Sequence, residues 1–259
     1  MIRKQLLLII ILIYLAPAAN AQVLNIERER LKTDTAGLAG SVKVNVNVIK
    51  NVKKLTETGF FSHLQYKKNR SLFLLLLDYN LIKSGKDDFS NNGMSHLRYN
   101  YKITPVVSAE AFGQAQFNKV LGINYRSLAG AGPRFKILGK PGFRLYAGVA
   151  WMLEHEEPVK KEDALFQNST ETLHRLSSYV SFTIKPVDNL LITNTTYFQP
   201  RPDKFNDYRI STDLSAFFKV TKIISFTFSY SYLFDKVPFE GVPAQVYAIK
   251  NGLIVDFGK

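Results

Sequence analysis

The chain contains no cysteine, one tryptophan and three methionines among 259 residues. Without cysteine it can form neither a disulfide framework nor a thiolate metal site. It also lacks any apolar run long enough to cross a bilayer as a helix, which takes about 20 residues for a core of roughly 30 Å. The longest run past the first turns of sequence is Leu72-Phe73-Leu74-Leu75-Leu76-Leu77. If the chain lives in a membrane, it must therefore do so as closed strands, because only helices and closed barrels satisfy every backbone group in lipid.

The amino terminus reads as an export signal. Arg3 and Lys4 precede an apolar stretch from Leu6 to Ala16, and Ala19-Asn20-Ala21 supplies small residues at both ends of an A-x-A site. The stretch is too short to span a bilayer, so residues 1–21 are expected to be a removable signal peptide with Gln22 as the mature terminus. No cysteine follows the site, which excludes lipoprotein processing. The formal charge of +13, less Arg3 and Lys4, gives +11 for the mature chain.

What the chain does have is alternation. Val42, Val44, Val46 and Val48 oppose Lys43, Asn45 and Asn47. Leu97, Tyr99, Tyr101 and Ile103 oppose His96, Arg98, Asn100 and Lys102. The same period of two runs through Leu145–Leu153, Val180–Ile184 and, most clearly, Ile224, Phe226, Phe228, Tyr230, Tyr232 and Phe234 against Ser225, Thr227, Ser229 and Ser231. A helix would scatter these residues around its circumference, so they are strands. Twelve segments are expected, at 40–50, 56–67, 70–82, 93–103, 106–117, 125–138, 143–155, 173–185, 190–199, 206–220, 223–235 and 244–257. Most approach the 9–11 residues of a tilted membrane-crossing strand.

Connections after the even-numbered segments are short, such as Lys68-Asn69 and Thr104-Pro105. Those after segments three, seven and eleven are longer: Lys83 to Asn92, Glu156 to Thr172 and Lys236 to Pro243. Short turns at one end and longer loops at the other suit a barrel with both termini in the periplasm. A soluble barrel of about eight strands has little interior room, and five large aromatics from one strand (Phe226 to Phe234) would crowd it. Against lipid they fit, and Tyr99, Tyr101, Trp151 and Tyr247 suit interfacial girdles. The fold class expected is all-β: an antiparallel up-and-down transmembrane β-barrel of about twelve strands. The division is signal peptide 1–21, an N-terminal periplasmic segment 22–39 and the barrel 40–259. Leu72, Leu74 and Leu76 break the pattern by making both faces of their strand apolar.

Several segments carry a family resemblance: Tyr101-Lys102-Ile103-Thr104-Pro105; Tyr125-Arg126-Ser127-Leu128-Ala129-Gly130-Ala131-Gly132-Pro133-Arg134-Phe135; Leu145-Tyr146-Ala147-Gly148-Val149; Tyr230-Ser231-Tyr232; and Asp235-Lys236-Val237-Pro238. From about Asp78 onward the chain resembles the salt-induced outer-membrane protein family, whose members carry a conserved domain of unknown function. The resemblance covers roughly two-thirds of the mature chain and implies a bacterial outer-membrane barrel with no established activity. The chain departs from family members at its end, where Gly258-Lys259 follow the aromatic Phe257.

Chemistry is sparse. A lipid hydrolase in such a barrel needs a histidine beside a serine nucleophile. The nearest pair, His174 and Ser178, shares a strand face but stands about 13 Å apart at about 3.3 Å per residue. His63, His96 and His155 have no better partner, so no catalytic residue is expected. Glu154, Glu156, Glu157, Glu162 and Asp163 fit no calcium-loop spacing and read as a solvated outer loop. Gly130-Ala131-Gly132 is followed by Pro133 rather than a helix, so it reads as close packing in a strand. No metal or cofactor is expected.

The inward face is the informative one. If the apolar face meets lipid, Lys43, Arg98, Lys102, Arg126, Arg134, Lys136, Arg144, Arg175, Lys185, Arg209, Lys219 and Lys250 point inward, against Asp78, Glu110, Glu154, Asp213 and Asp256. The candidate lumen charges are Arg98, Arg126, Arg134, Arg144, Arg175, Arg209, Glu110 and Asp213. Two arrangements follow: a water-filled lumen favouring anions, or a plug of arginine–carboxylate pairs with Phe112, Tyr146 and Phe217. The charges lie singly between apolar residues, so nucleic acid is not an expected partner. The expected surroundings are the outer membrane of a Gram-negative bacterium, its lipid and lipopolysaccharide. The assembly machinery for such barrels would read the final strand, ending at Phe257. The function classes left are a non-enzymatic envelope barrel, structural, stress-related or a narrow anion-preferring pore, and a membrane-embedded phospholipase or lipid A deacylase.

Overall fold

The computed structural model describes residues 36–50, 54–84, 87–159, 169–221 and 224–255. Twelve strands follow one another: β1 (Gly37–Lys50), β2 (Lys54–Lys68), β3 (Ser71–Ser84), β4 (Asp87–Lys102), β5 (Val107–Asn118), β6 (Ile123–Lys140), β7 (Phe143–Pro158), β8 (Glu171–Val187), β9 (Leu190–Pro200), β10 (Tyr208–Lys219), β11 (Ile224–Asp235) and β12 (Gln245–Val255). Each pairs antiparallel with the next, so the sheet order is the chain order. The expected signal peptide, 1–21, and the expected periplasmic segment, 22–39, as far as residue 35, lie outside the described residues, as does Phe257.

Tight turns join the strands at one end. Asn69, with φ 53°, and Gly142, with φ 76°, take the left-handed backbone that two-residue hairpins require. At the β4–β5 turn the Thr104 hydroxyl oxygen accepts from the backbone N–H groups of Val106 (3.2 Å) and Val107 (2.9 Å). The opposite end carries the longer connections, among them 201–207 and 236–244.

One loop expectation is corrected. Lys83 to Asn92 is not a loop: β3 continues to Ser84 and β4 starts at Asp87. Likewise β7 runs to Pro158 and β8 starts at Glu171, shortening the connection expected over 156–172. Beyond the lipid zone a strand has no need of an apolar face, so composition stops marking it while the ladder continues.

The faces sort by polarity, with the apolar side outward. Leu97, Val149, Trp151, Leu153, Val180 and Phe226 are exposed, whereas Arg98, Glu154, Arg175, Ser181, Thr195 and Ser215 are buried. A water-soluble barrel would show the reverse. The sheet is strongly curved. Strands three apart stand roughly 14 Å from each other on a flat sheet, yet Tyr179 on β8 reaches Glu110 on β5 and Arg209 on β10 reaches Glu154 on β7. Only a concave inner face lets such side chains converge.

The anomalous leucines have a place in this wall. Leu74 and Leu76 point inward and are fully buried, with Phe61 and Leu72 packed against them. An apolar knot thus fills part of the inner face at β2–β3, which is why that strand looks apolar on both sides.

Candidate functional site: the charged inner face

Two layers of charge and aromatic rings line the concave face. The first is centred on Glu110, which Arg98, Arg134 and Tyr179 surround. Arg98 Nη1 donates to Glu110 Oε2 at 3.2 Å, and the Tyr179 hydroxyl donates to the same oxygen at 2.7 Å. Arg134 Nη1 donates to the Tyr179 hydroxyl oxygen at 2.9 Å and lies 3.8 Å from Glu110 Oε1. Both guanidinium groups also sit on rings: Arg134 lies 3.9 Å from the Tyr146 centroid and Arg98 lies 5.0 Å from that of Phe112. Planar, weakly hydrated guanidinium groups are suited to stacking and carboxylate pairing together.

Glycines make room for this layer. A Cβ at Gly130 would stand 2.6 Å from the Phe112 ring, and one at Gly148 would run into the ring of Tyr179. The small residues of β6 and β7 therefore let rings from neighbouring strands lie along the wall, as expected of Gly130-Ala131-Gly132.

The second layer lies toward the loop end. Arg209 donates to Glu154 Oε1 (2.6 Å), Glu156 Oε2 (2.9 Å) and Asp235 Oδ2 (2.6 Å). Arg126 pairs with Glu156 and lies 4.0 Å from Glu154. Arg175 lies 3.6 Å from Glu154 and donates to Asp207 Oδ1 at 3.0 Å. Arg201, 3.3 Å from Asp207 Oδ2, ties the 201–207 loop into the network. In that loop, hydrogen bonds from Arg201 hold the Asp203 carboxyl below the usual carboxylate range.

Of the eight candidate lumen charges, Arg98, Arg134 and Glu110 meet in the first layer, while Arg126, Arg175 and Arg209 meet in the second. Asp213 is buried on the same face, opposite Thr195 and Ser231, and accepts from the Ser215 hydroxyl at 3.3 Å. Arg144 lies near the turn end opposite Thr183, apart from both layers. Lys102, Lys136, Lys185 and Lys219 are exposed at that end, and Lys185 pairs with Asp188 at 2.9 Å. The side chains of Lys43 and Lys250, and all of Asp256, lie outside the described residues.

The sequence reading missed Glu156, Asp207 and Asp235, three of the carboxylates that neutralise the second layer. Its acidic neighbours suggest a solvated loop for Glu156; instead Glu154 and Glu156 are buried on β7, and only Glu157 of the described acids there faces outward, 3.4 Å from His155. The two-residue step from Glu154 to Glu156 was the available signal. Glu162 and Asp163 lie outside the described residues.

His96, His155 and His174 are otherwise engaged. Trp151 Nε1 donates to His174 Nδ1 at 3.0 Å on the outer face, and the Ser178 hydroxyl donates to the Phe198 carbonyl at 2.9 Å. On the inner face His96 lies between Gln114 (2.9 Å) and Arg98 (3.3 Å).

The family model described as "Protein of unknown function, DUF481" matches residues 56–257. The chain belongs to this family. The match begins at β2 and ends at the aromatic that precedes Gly258. Within this DUF481 chain, Tyr125–Phe135 and Leu145–Val149, the segments that carried the resemblance, supply Gly130, Arg134, Tyr146 and Gly148 of the first layer. Among solved structures, a NanC porin in a rhombohedral crystal form aligns with a TM-score of 0.50 at 11% identity, covering 85% of this chain and 98% of that one. A bacterial polysaccharide outer membrane secretin aligns with a TM-score of 0.46 at 5% identity, covering 85% of this chain and 91% of that one. No curated protein matches. The first of these likenesses supports the fold, a curved up-and-down β wall.

Proposed function

We propose that this DUF481 chain is a non-enzymatic outer-membrane barrel whose lumen is narrowed by two arginine–carboxylate layers, so that it passes small ions weakly or not at all. The observation that carries this reading is the inverted polarity of the wall combined with buried ion pairs that join strands three apart.

The spacing of outward aromatics supports a membrane setting. Tyr208 and Phe218 bracket the outward face of β10. Ten residues at about 3.3 Å each, tilted about 40°, rise roughly 25 Å along the membrane normal, the height of the apolar band of an outer-membrane barrel. At the loop end Phe198, Tyr208 and Phe234 follow one another around the wall, with centroids 5.6 and 5.8 Å apart. On this reading the loops face outward from the cell and the turns face the periplasm. The partners are then outer-leaflet lipid and lipopolysaccharide around the belt, and the barrel assembly machinery through the final strand ending at Phe257. A salt-stress role agrees with the resemblance noted above.

Pairing reduces the anion preference that an unopposed set of lumen arginines would give. In the second layer Arg126, Arg175, Arg201 and Arg209 meet Glu154, Glu156, Asp207 and Asp235. In the first, Arg98 and Arg134 share one carboxylate. Planar-bilayer recording of the refolded protein tests this. The expected result is little current from the wild type and a larger, chloride-preferring one from Tyr179→Ala, which removes a ring from the first layer. A large steady wild-type current typical of an open, water-filled porin would reject the narrowed lumen.

A further inference from the structure

The lumen opens, toward the loop end, into a cavity of about 350 Å³ that is unlike the rest of the inner face. Its size is at the lower end of the range for small-molecule sites, about 300–1,000 Å³. One wall is apolar. Ile123, Leu173 and Val246 are buried inward-facing residues, Leu233 continues their surface, and Phe239 and Val242 of the 236–244 loop complete it. Elsewhere the inward positions of β8–β11 are mostly serine, threonine, aromatic and charged residues, so this concentration of branched aliphatic side chains is local.

The facing wall is ionic, and its charges are unequally satisfied. Glu156 is held by Arg126 and Arg209, Asp235 by Arg209, and Asp207 by Arg175 and Arg201. Glu171 is 3.9 Å from Arg201. A cationic ligand would have to displace a guanidinium to reach Glu156, Asp235 or Asp207, whereas Glu171 is exposed at the edge of the cavity. Lys204 is different. It lines the cavity from the 201–207 loop and, among the described residues, no carboxylate lies within 4.0 Å of its ammonium group. Backbone bonds from Lys204 N to Arg201 O (3.3 Å) and from Asp207 N to Lys204 O (2.8 Å) fold that loop upon itself and fix where the lysine stands.

We infer that this cavity binds a small amphipathic monoanion, its apolar body against Ile123, Leu173, Leu233 and Val246 and its carboxylate- or phosphate-class head paired with Lys204 at the rim. The inference rests on the loop end being the outer mouth of the barrel, where it would meet solute from outside the cell.

The test uses the folded full-length barrel in lipid nanodiscs and three fluorine-labelled probes of one shape: 4-(trifluoromethyl)benzoate, 4-(trifluoromethyl)benzyl alcohol and 4-(trifluoromethyl)benzylamine. Fluorine NMR line broadening reports binding of each, with empty nanodiscs as background. The expected result is that benzoate binds about ten-fold more tightly than the alcohol, a difference of about 1.4 kcal/mol. Lys204→Glu should remove that advantage and leave the alcohol unchanged. Val246→Thr, which keeps the shape of the wall, should weaken both. Equal binding of alcohol and benzoate, preference for the amine, indifference to Lys204→Glu, or no binding above empty nanodiscs would each overturn the inference. Bilayer conductance tests the narrowed barrel separately, so failure here leaves that reading intact.

Discussion

The hydroxyl of Tyr179 on β8 donates to Glu110 on β5 across 2.7 Å, and its ring lies over Gly148 on the intervening β7. One aromatic residue thus closes a distance that three strands of flat sheet would keep open. Its position depends on a neighbour having no side chain.

Substituting that neighbour tests the packing. Gly148→Ala should force the Tyr179 ring away from Glu110 and destabilise the barrel by about 1–3 kcal/mol, the usual cost of overpacking. Gly113→Ala is the control, because a Cβ there would come no nearer than 3.9 Å to its closest neighbour, the Leu128 carbonyl. Urea unfolding in detergent micelles or lipid vesicles measures both. Equal effects would show that Tyr179 has room to spare.

Glu154 is the shared partner of Arg126, Arg175 and Arg209. Glu154→Ala would leave buried guanidinium groups short of a carboxylate, and losing one member of a buried ionic group costs about 3–5 kcal/mol. Removing the exposed Lys185–Asp188 pair with Lys185→Ala should change stability little, since water screens a pair on the surface. The same unfolding assay compares the two. A small loss from Glu154→Ala would mean that water solvates the second layer and that the lumen there is open.

The strands were legible in the sequence and the charge pairing was not, for physical reasons. Lipid demands an apolar residue at every second position, so twelve strands could be counted without homologues. The demand ends where the lipid ends. Asp87 to Asn92 therefore read as a loop although they continue the ladder of β4. Leu74 and Leu76 escaped explanation because inward packing against Phe61 is a tertiary contact that alternation does not encode. The lumen arginines looked underpaired because three of their carboxylates escaped notice: Glu156 faces Arg126 on the next strand and reaches Arg209 three strands away, Asp235 faces Arg209 from β11, and Asp207 reaches Arg175 from the 201–207 loop. Only curvature and register bring those residues together.

The orientation of β11 makes a quantitative prediction. Phe228 lies on the outward face and Thr227 on the inward one, with the Thr227 hydroxyl donating to the Gly252 carbonyl at 3.2 Å. Phe228→Arg at mid-membrane should cost about 2–4 kcal/mol, whereas Thr227→Arg, able to reach the polar lumen, should cost much less. Refolding yield and urea midpoints in lipid vesicles distinguish them. The reverse order would assign lipid to the wrong face.

The absence of cysteine allows the central claim, apolar face to lipid and ionic face to lumen, to be read position by position. Single cysteines placed along residues 225–232, carrying a nitroxide spin label in vesicles, report collision with oxygen, which concentrates in lipid, and with a water-soluble nickel chelate. The account predicts alternation. Labels at Phe226, Phe228, Tyr230 and Tyr232 should favour oxygen, while those at Ser225, Thr227, Ser229 and Ser231 should show little contact with it. Uniform accessibility along the strand, or alternation in the opposite phase, would contradict it.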